Sequence, residues 1–168
     1  MDVVNRLLRW LEAPINVLLW IALIAGFLMM VHVGIDVTGR TFFNRPLMGT
    51  TEIVSNLYMV AIVFLPWAWI EQRNNHIVAG MFERIGGPRF NFWLGAVVKL
   101  CTLGFLVLFT WQAGVRAVQQ TSAGEVVEAA GGFIWVWPSR WLLPVAGLSM
   151  GLYMALRLVA DLAGPKPR

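Results

Sequence analysis

Apolar residues run almost without interruption through four stretches, 15–35, 53–70, 92–111 and 141–158, and most charged residues fall between them. A helix needs roughly 20 mainly apolar residues to cross the hydrocarbon layer of a bilayer, so the pattern predicts an all-α integral membrane protein with four transmembrane helices. Two further segments are amphipathic. Val3, Val4, Leu7, Leu8 and Leu11 share a helical face away from Asn5, Arg6 and Arg9, and Ile77, Val78, Met81, Phe82 and Ile85 repeat at helical spacing. Both segments, 3–11 and 76–85, read as short helices lying flat on one leaflet, with Pro14 redirecting the chain into the first span and Gly86, Gly87 and Pro88 ending the second. The stretch 112–134 is the longest polar connection, and it has too little apolar surface to form a domain of its own. The expectation is one membrane domain, 1–168. Arg6 and Arg9 ahead of an apolar run also suit a secretory signal, but the run is too long and no small-x-small cleavage site follows, so the segment is expected to stay attached.

Composition sharpens this picture. Of the 168 residues, 58% are hydrophobic and 13% charged, too few to clothe a water-soluble domain, which carries about 25% charged residues. The net charge of +4 comes from scattered single cations without a basic run, so it reports topology and not nucleic acid. Arg6, Arg9, Arg73, Arg84, Arg89, Arg157, Lys166 and Arg168 fall on one side, and Arg40, Arg45, Arg116 and Arg140 on the other. The cation-rich side is cytoplasmic by the positive-inside rule, which predicts both termini there. All the tryptophans except Trp20 lie near predicted span ends, Trp111 among them, as headgroup-level anchors in contact with membrane lipids. The single cysteine, Cys101, rules out a disulfide or dithiol pair within one chain.

Candidate chemistry is sparse. A haem-bearing anchor would need two histidines at one depth, and His32 and His76 sit near opposite faces. A self-sufficient proton-coupled carrier would need a carboxylate near mid-membrane, whereas Asp36, Glu52, Glu12, Glu71 and Glu83 all sit at span ends. Lys99 is the one cation predicted inside a span, where it costs about 2.5–3.5 kcal/mol unless it snorkels to the headgroups or pairs with a carboxylate. Gly147, Gly151 and Ala155 form a small-residue stripe on the fourth span. Such a stripe admits another helix closely, either the first span, where Ala22 and Gly26 offer a similar face, or another polypeptide.

The connection between the first two spans carries the most specific pattern: Asp36, Arg40, Phe43, Asn44, Pro46, Leu47, Gly49, Thr50 and Glu52. Locally, Asp36 and Arg40 form an i,i+4 pair, Pro46 and Gly49 shape a turn, and Thr50 or Thr51 caps the next helix with Glu52 in its first turn. As a whole the run resembles the signature of the small membrane subunit (DctQ type) of tripartite ATP-independent periplasmic (TRAP) transporters: Asp, three residues, Arg, then Phe-Asn-x-Pro-Leu-x-Gly-Thr and a Glu. His76 with Ile77, and Pro138, Trp141, Pro144 and Arg157, extend the likeness along the chain, while Thr51 departs from the pattern's spacing.

The resemblance implies a subunit with no enzymatic activity and no cofactor of its own, placed in the bacterial inner membrane. It would act with a large membrane subunit that holds the substrate and the coupling ion, generally sodium, and with a periplasmic binding protein that delivers an organic anion, often a carboxylate. The small subunit would widen the fixed scaffold. The motif residues would brace the turn or contact a partner. Two other readings stay open: an anchor subunit of a respiratory redox complex, and a stand-alone small carrier.

Overall fold

A computed structural model describes residues 2–73, 88–129 and 132–163. Among them, four helices are long and apolar enough to cross a membrane: Arg6–Phe43, Thr50–Gln72, Val97–Ala123 and Trp137–Ala160. The predicted segment 76–85 lies outside the described residues.

The first helix is a single element, Asp2–Phe43, which carries Pro14 in its interior. The expected redirection at Pro14 therefore does not occur, and 3–11 is the opening of the first helix, not a separate element. Proline removes one backbone hydrogen bond, but side chains on both sides of it, Leu8, Leu11 and Ile15, pack with Ala68 and Tyr153 and hold the two halves in one helix. At 42 residues the helix is about 63 Å long, twice the hydrocarbon thickness, so it reaches past the bilayer.

The second span is segmented. It begins at Thr50–Ile53, widens to a π-helical stretch at Val54–Tyr58, resumes as Met59–Phe64 and, after Pro66, finishes as Trp67–Gln72. The widening coincides with side-chain competition for one carbonyl. Ser55 Oγ (3.3 Å) and Asn56 Nδ2 (2.9 Å) both donate to the oxygen of Glu52, which an ordinary turn would offer to the amide of Asn56.

The third helix runs from Pro88 to Ala123, so the first half of the predicted polar connection is helix. The rest is an antiparallel hairpin, β1 (Val126–Ala129) and β2 (Gly132–Trp135), in which Val127 faces Ile134 and Val126 faces Trp135. A short helix, Trp137–Arg140, leads into the fourth long helix, Leu142–Ala163.

Small residues let the four helices meet near their middles. Ala22, Ala61, Leu65 and Ala146, from the first, second and fourth helices, form one buried cluster. Ile15, Ala68 and Tyr153 form a second, nearer the chain termini. The stripe on the fourth helix closes against the third: a Cβ on Gly147 would collide with Thr110 Oγ1 and lie 3.3 Å from Phe109, and one on Gly151 would touch Leu106. Gly26 faces the second span, where Ile62 is 3.8 Å from a Cβ built on it, while Ala22 belongs to the cluster shared with Ala61 and Ala146.

This packing sets the depth of the third helix. Thr110 is level with Gly147, near the middle of the fourth span, and Phe109 stacks near Phe64 and Trp67 of the second at centroid distances of 6.1 and 5.6 Å. The apolar helix that holds this contact runs on to Ala123, past the end of the predicted run 92–111. Lys99, eleven residues from Thr110, lies about 16 Å from that level, toward the end that holds the chain termini. Trp111 moves the other way, to mid-depth, where it is 73% exposed.

Gly147→Ala is expected to push the third and fourth helices apart and lower stability by about 1–3 kcal/mol. Gly114→Ala, where a Cβ meets nothing within 4 Å, is expected to leave the melting temperature in detergent unchanged or slightly higher.

Candidate functional site

The turn between the first two helices and the hairpin between the last two meet at one end of the bundle. Asp36 is the centre of the turn. It is 6% exposed, although it is a carboxylate, and both of its oxygens are used. Oδ1 accepts the backbone N–H of Leu47 (2.8 Å) across the turn, and Oδ2 accepts Arg40 Nη2 (3.0 Å) one turn along the helix. A backbone bond from the Arg45 N–H to the Gly39 carbonyl (3.1 Å) closes the same loop. Gly39 permits it, since a Cβ there would stand 2.8 Å from the Arg45 carbonyl oxygen.

Two residues reverse the chain with left-handed backbone: Asn44 (φ 51°) and Gly49 (φ 75°). Asparagine and glycine are the residues that tolerate this region. Pro46, between them, holds the extended approach to the second helix. Gly49 is also the N-cap of that helix, so neither Thr50 nor Thr51 caps it, contrary to the sequence expectation. The buried Thr50 hydroxyl instead donates to the Leu47 carbonyl (3.5 Å), tightening the turn from inside. Glu52 does occupy the first helical turn, where its charge suits the helix dipole. Among the described residues its carboxylate makes no hydrogen bond or ion pair. Phe43 is 73% exposed at the rim.

The hairpin seats on this turn. A Cβ on Gly49 would overlap the Ile134 side chain and lie 3.4 Å from the Ala129 methyl, so glycine is required by its neighbours as well as by its φ. The base of the hairpin is fixed by Glu125, which accepts Arg140 Nε (2.9 Å) and Nη2 (2.7 Å) in a two-pronged pair. The Arg140 hydrogen bonds hold the Glu125 carboxyl below its ordinary value. Trp141 Nε1 donates to Thr121 Oγ1 (3.0 Å), tying the fourth helix to the end of the third.

The hairpin was not expected. Its signal was a pair of short β-branched and aromatic runs around Gly131 and Gly132, a common hairpin pattern hidden by its Ala neighbours. At the opposite end, Glu71 is 2% exposed, and its backbone carbonyl accepts Arg157 Nη1 (3.2 Å). Arg157, Glu12 and Glu71 all lie within electrostatic reach of Tyr153. His32 packs edge-on against Tyr58, with ring centroids 5.9 Å apart, as a bundle side chain. His76 lies outside the described residues. Among the described residues, no three His, Cys, Asp or Glu gather closely enough to hold a metal ion.

The geometry thus describes a structural cap built from the same residues that carry the sequence signature. A family model described as the DctQ component of tripartite ATP-independent periplasmic transporters matches residues 29–164. The chain belongs to this family. The match begins at residue 29, within the first span of this DctQ protein, takes in the turn, the hairpin and the other three spans, and makes it a small membrane subunit of a TRAP transporter. A comparison with curated proteins gives no match.

Two outcomes follow for the cap. Asp36→Ala strips the Leu47 N–H and Arg40 of their acceptor and should cost about 1–3 kcal/mol, with Asp36→Asn milder and Arg40→Gln, whose head is largely in solvent, below about 1 kcal/mol, all read by thermal unfolding in detergent. The Glu125 contribution should be complete above the ordinary carboxyl value of 4.5 and fade only as pH falls through its lower folded value. The stability gap between wild type and Glu125→Gln is therefore expected to stay constant from neutral pH to about 4.5 and to close below it.

Proposed function

We propose that this DctQ chain is the immobile partner of a large membrane subunit in ion-coupled uptake of an organic anion. The observation that carries the reading is the family match over residues 29–164. In this reading the large subunit holds the anion, of carboxylate type, and the coupling ion, sodium, while a periplasmic binding protein delivers the anion. The chain sits in the bacterial inner membrane with both termini in the cytoplasm, a topology supported by the excess of cations on the side of the termini. The turn-and-hairpin cap then faces the periplasm, on the side from which the binding protein docks.

The role is mechanical. Exposed apolar side chains on every helix, such as Trp20, Phe27, Leu108 and Leu148, give the chain a large surface for lipid and partner. Tryptophans at the span ends, such as Trp10 and Trp141, resist tilting or sinking. A scaffold widened in this way stays still while a neighbouring part moves.

The test is purification of the tagged chain from its native membranes in mild detergent, with mass spectrometry of what accompanies it and an absorbance spectrum. A large multi-span protein without a Soret band is the expected result. A haem spectrum with a redox subunit would replace this reading by the anchor of a respiratory complex. In proteoliposomes the chain alone is expected to move no anion, and its deletion from cells should abolish uptake.

A further inference from the structure

The third helix carries an exposed seam whose polar side chains have no partner among the described residues. Cys101, Phe105, Leu108, Gln112 and Arg116 follow one another at intervals of three or four residues, and every one is exposed. That spacing places them on one face, and it is the spacing by which a helix receives a second helix. The lower part of the seam is apolar and the upper part is polar.

Depth makes the polar part costly. Thr110 is level with Gly147 near the middle of the bundle, so Gln112 lies about 3 Å and Arg116 about 9 Å toward the cap end. The indole of Trp141, a headgroup-level side chain, reaches Thr121, five residues beyond Arg116. Both polar groups thus fall within the roughly 15 Å half-thickness of the hydrocarbon. Neither makes a hydrogen bond or ion pair with any described residue.

Snorkelling does not relieve them well. Helical side chains lean toward the helix N-terminus, and the third helix enters from the opposite end, so the Arg116 guanidinium leans toward the middle of the bilayer, away from the nearer headgroups. Gln112 is a turn deeper and too short to reach either surface. Lys99, by contrast, lies toward the end that holds the chain termini and leans the same way.

We propose that this seam receives a transmembrane helix of the large subunit, with a carboxylate of that helix meeting Arg116 and a hydrogen-bonding side chain meeting Gln112. The assignment rests on the scaffold reading above and adds the face, the depth and the charge of the contact. Charge complementarity selects the occupant: a lipid tail satisfies Phe105 and Leu108 but offers nothing to Gln112 or Arg116. A partner helix with apolar residues at mid-depth and an acid two turns higher satisfies all four.

The experiment is co-purification from native membranes of tagged wild type, Arg116→Glu, Arg116→Lys and Arg116→Met. Arg116→Glu should lower the recovery of the large subunit at least about tenfold, because it sets two anions against each other in the membrane. Arg116→Lys should retain most of it. Arg116→Met, which suits lipid better than arginine, should insert normally and still lose partner. Since Arg116 is exposed and makes no hydrogen bond or ion pair with the described residues, the variants should melt like wild type when isolated. Undiminished recovery with Arg116→Glu and Arg116→Met would overturn the proposal. So would unchanged recovery accompanied by loss of a bound anionic lipid, which would make the occupant a headgroup. If wild type itself brings no large subunit, it is the scaffold reading that fails.

Discussion

The close approach of the fourth helix to its neighbours is the contact on which the rest of the fold depends. Water does not drive helices together inside a bilayer, because lipid tails are as apolar as leucine, so association relies on surfaces that fit. Ala146 meets Ala22 and Ala61, while Gly147 and Gly151 admit Thr110, Phe109 and Leu106. One helix therefore touches the other three, and its small residues fix their relative depth. The third helix is the clearest case, since it meets the bundle chiefly through the fourth and takes its register from Gly147.

From that register follows the character of the two ends. At one, charges and turns are built into a specific structure: the Asp36 carboxylate holds the Leu47 amide, and Ile134 rests on Gly49. At the other, Arg157 reaches the carbonyl of the buried Glu71, and the first helix continues past Pro14. Between the two ends the surface is apolar and open, as suits a protein whose neighbours are lipid and another subunit.

Much of this was legible in the residue pattern. Four apolar runs gave four spans, and the Asp36-to-Glu52 signature pointed to the family that the chain belongs to. The misreadings share a physical origin. Hydropathy measures how well a residue suits lipid, not where a neighbour holds it, so it did not show that Thr110 is the counterpart of Gly147. Pro14 looked like a corner because local rules treat proline as a helix breaker, yet contacts through Leu8, Leu11 and Ile15 keep the helix whole. The threonines looked like caps because their type favours the role, but the left-handed turn at Gly49 took it. The stripe at Gly147 and Gly151 was visible, although which helix it would meet depends on shape, which one sequence does not display.

The meeting of Ile134 with Gly49 also imposes an order on assembly. Gly49 leaves the ribosome long before Ile134, with two whole spans synthesised between them, so its bare backbone forms a socket that stays unfilled while those spans insert. The hairpin follows the third span in the chain, so the socket is filled only after that span has been made. Closure of the cap is thus a late event that reports on everything before it, and a chain whose helices have settled at the wrong depth would leave the socket open.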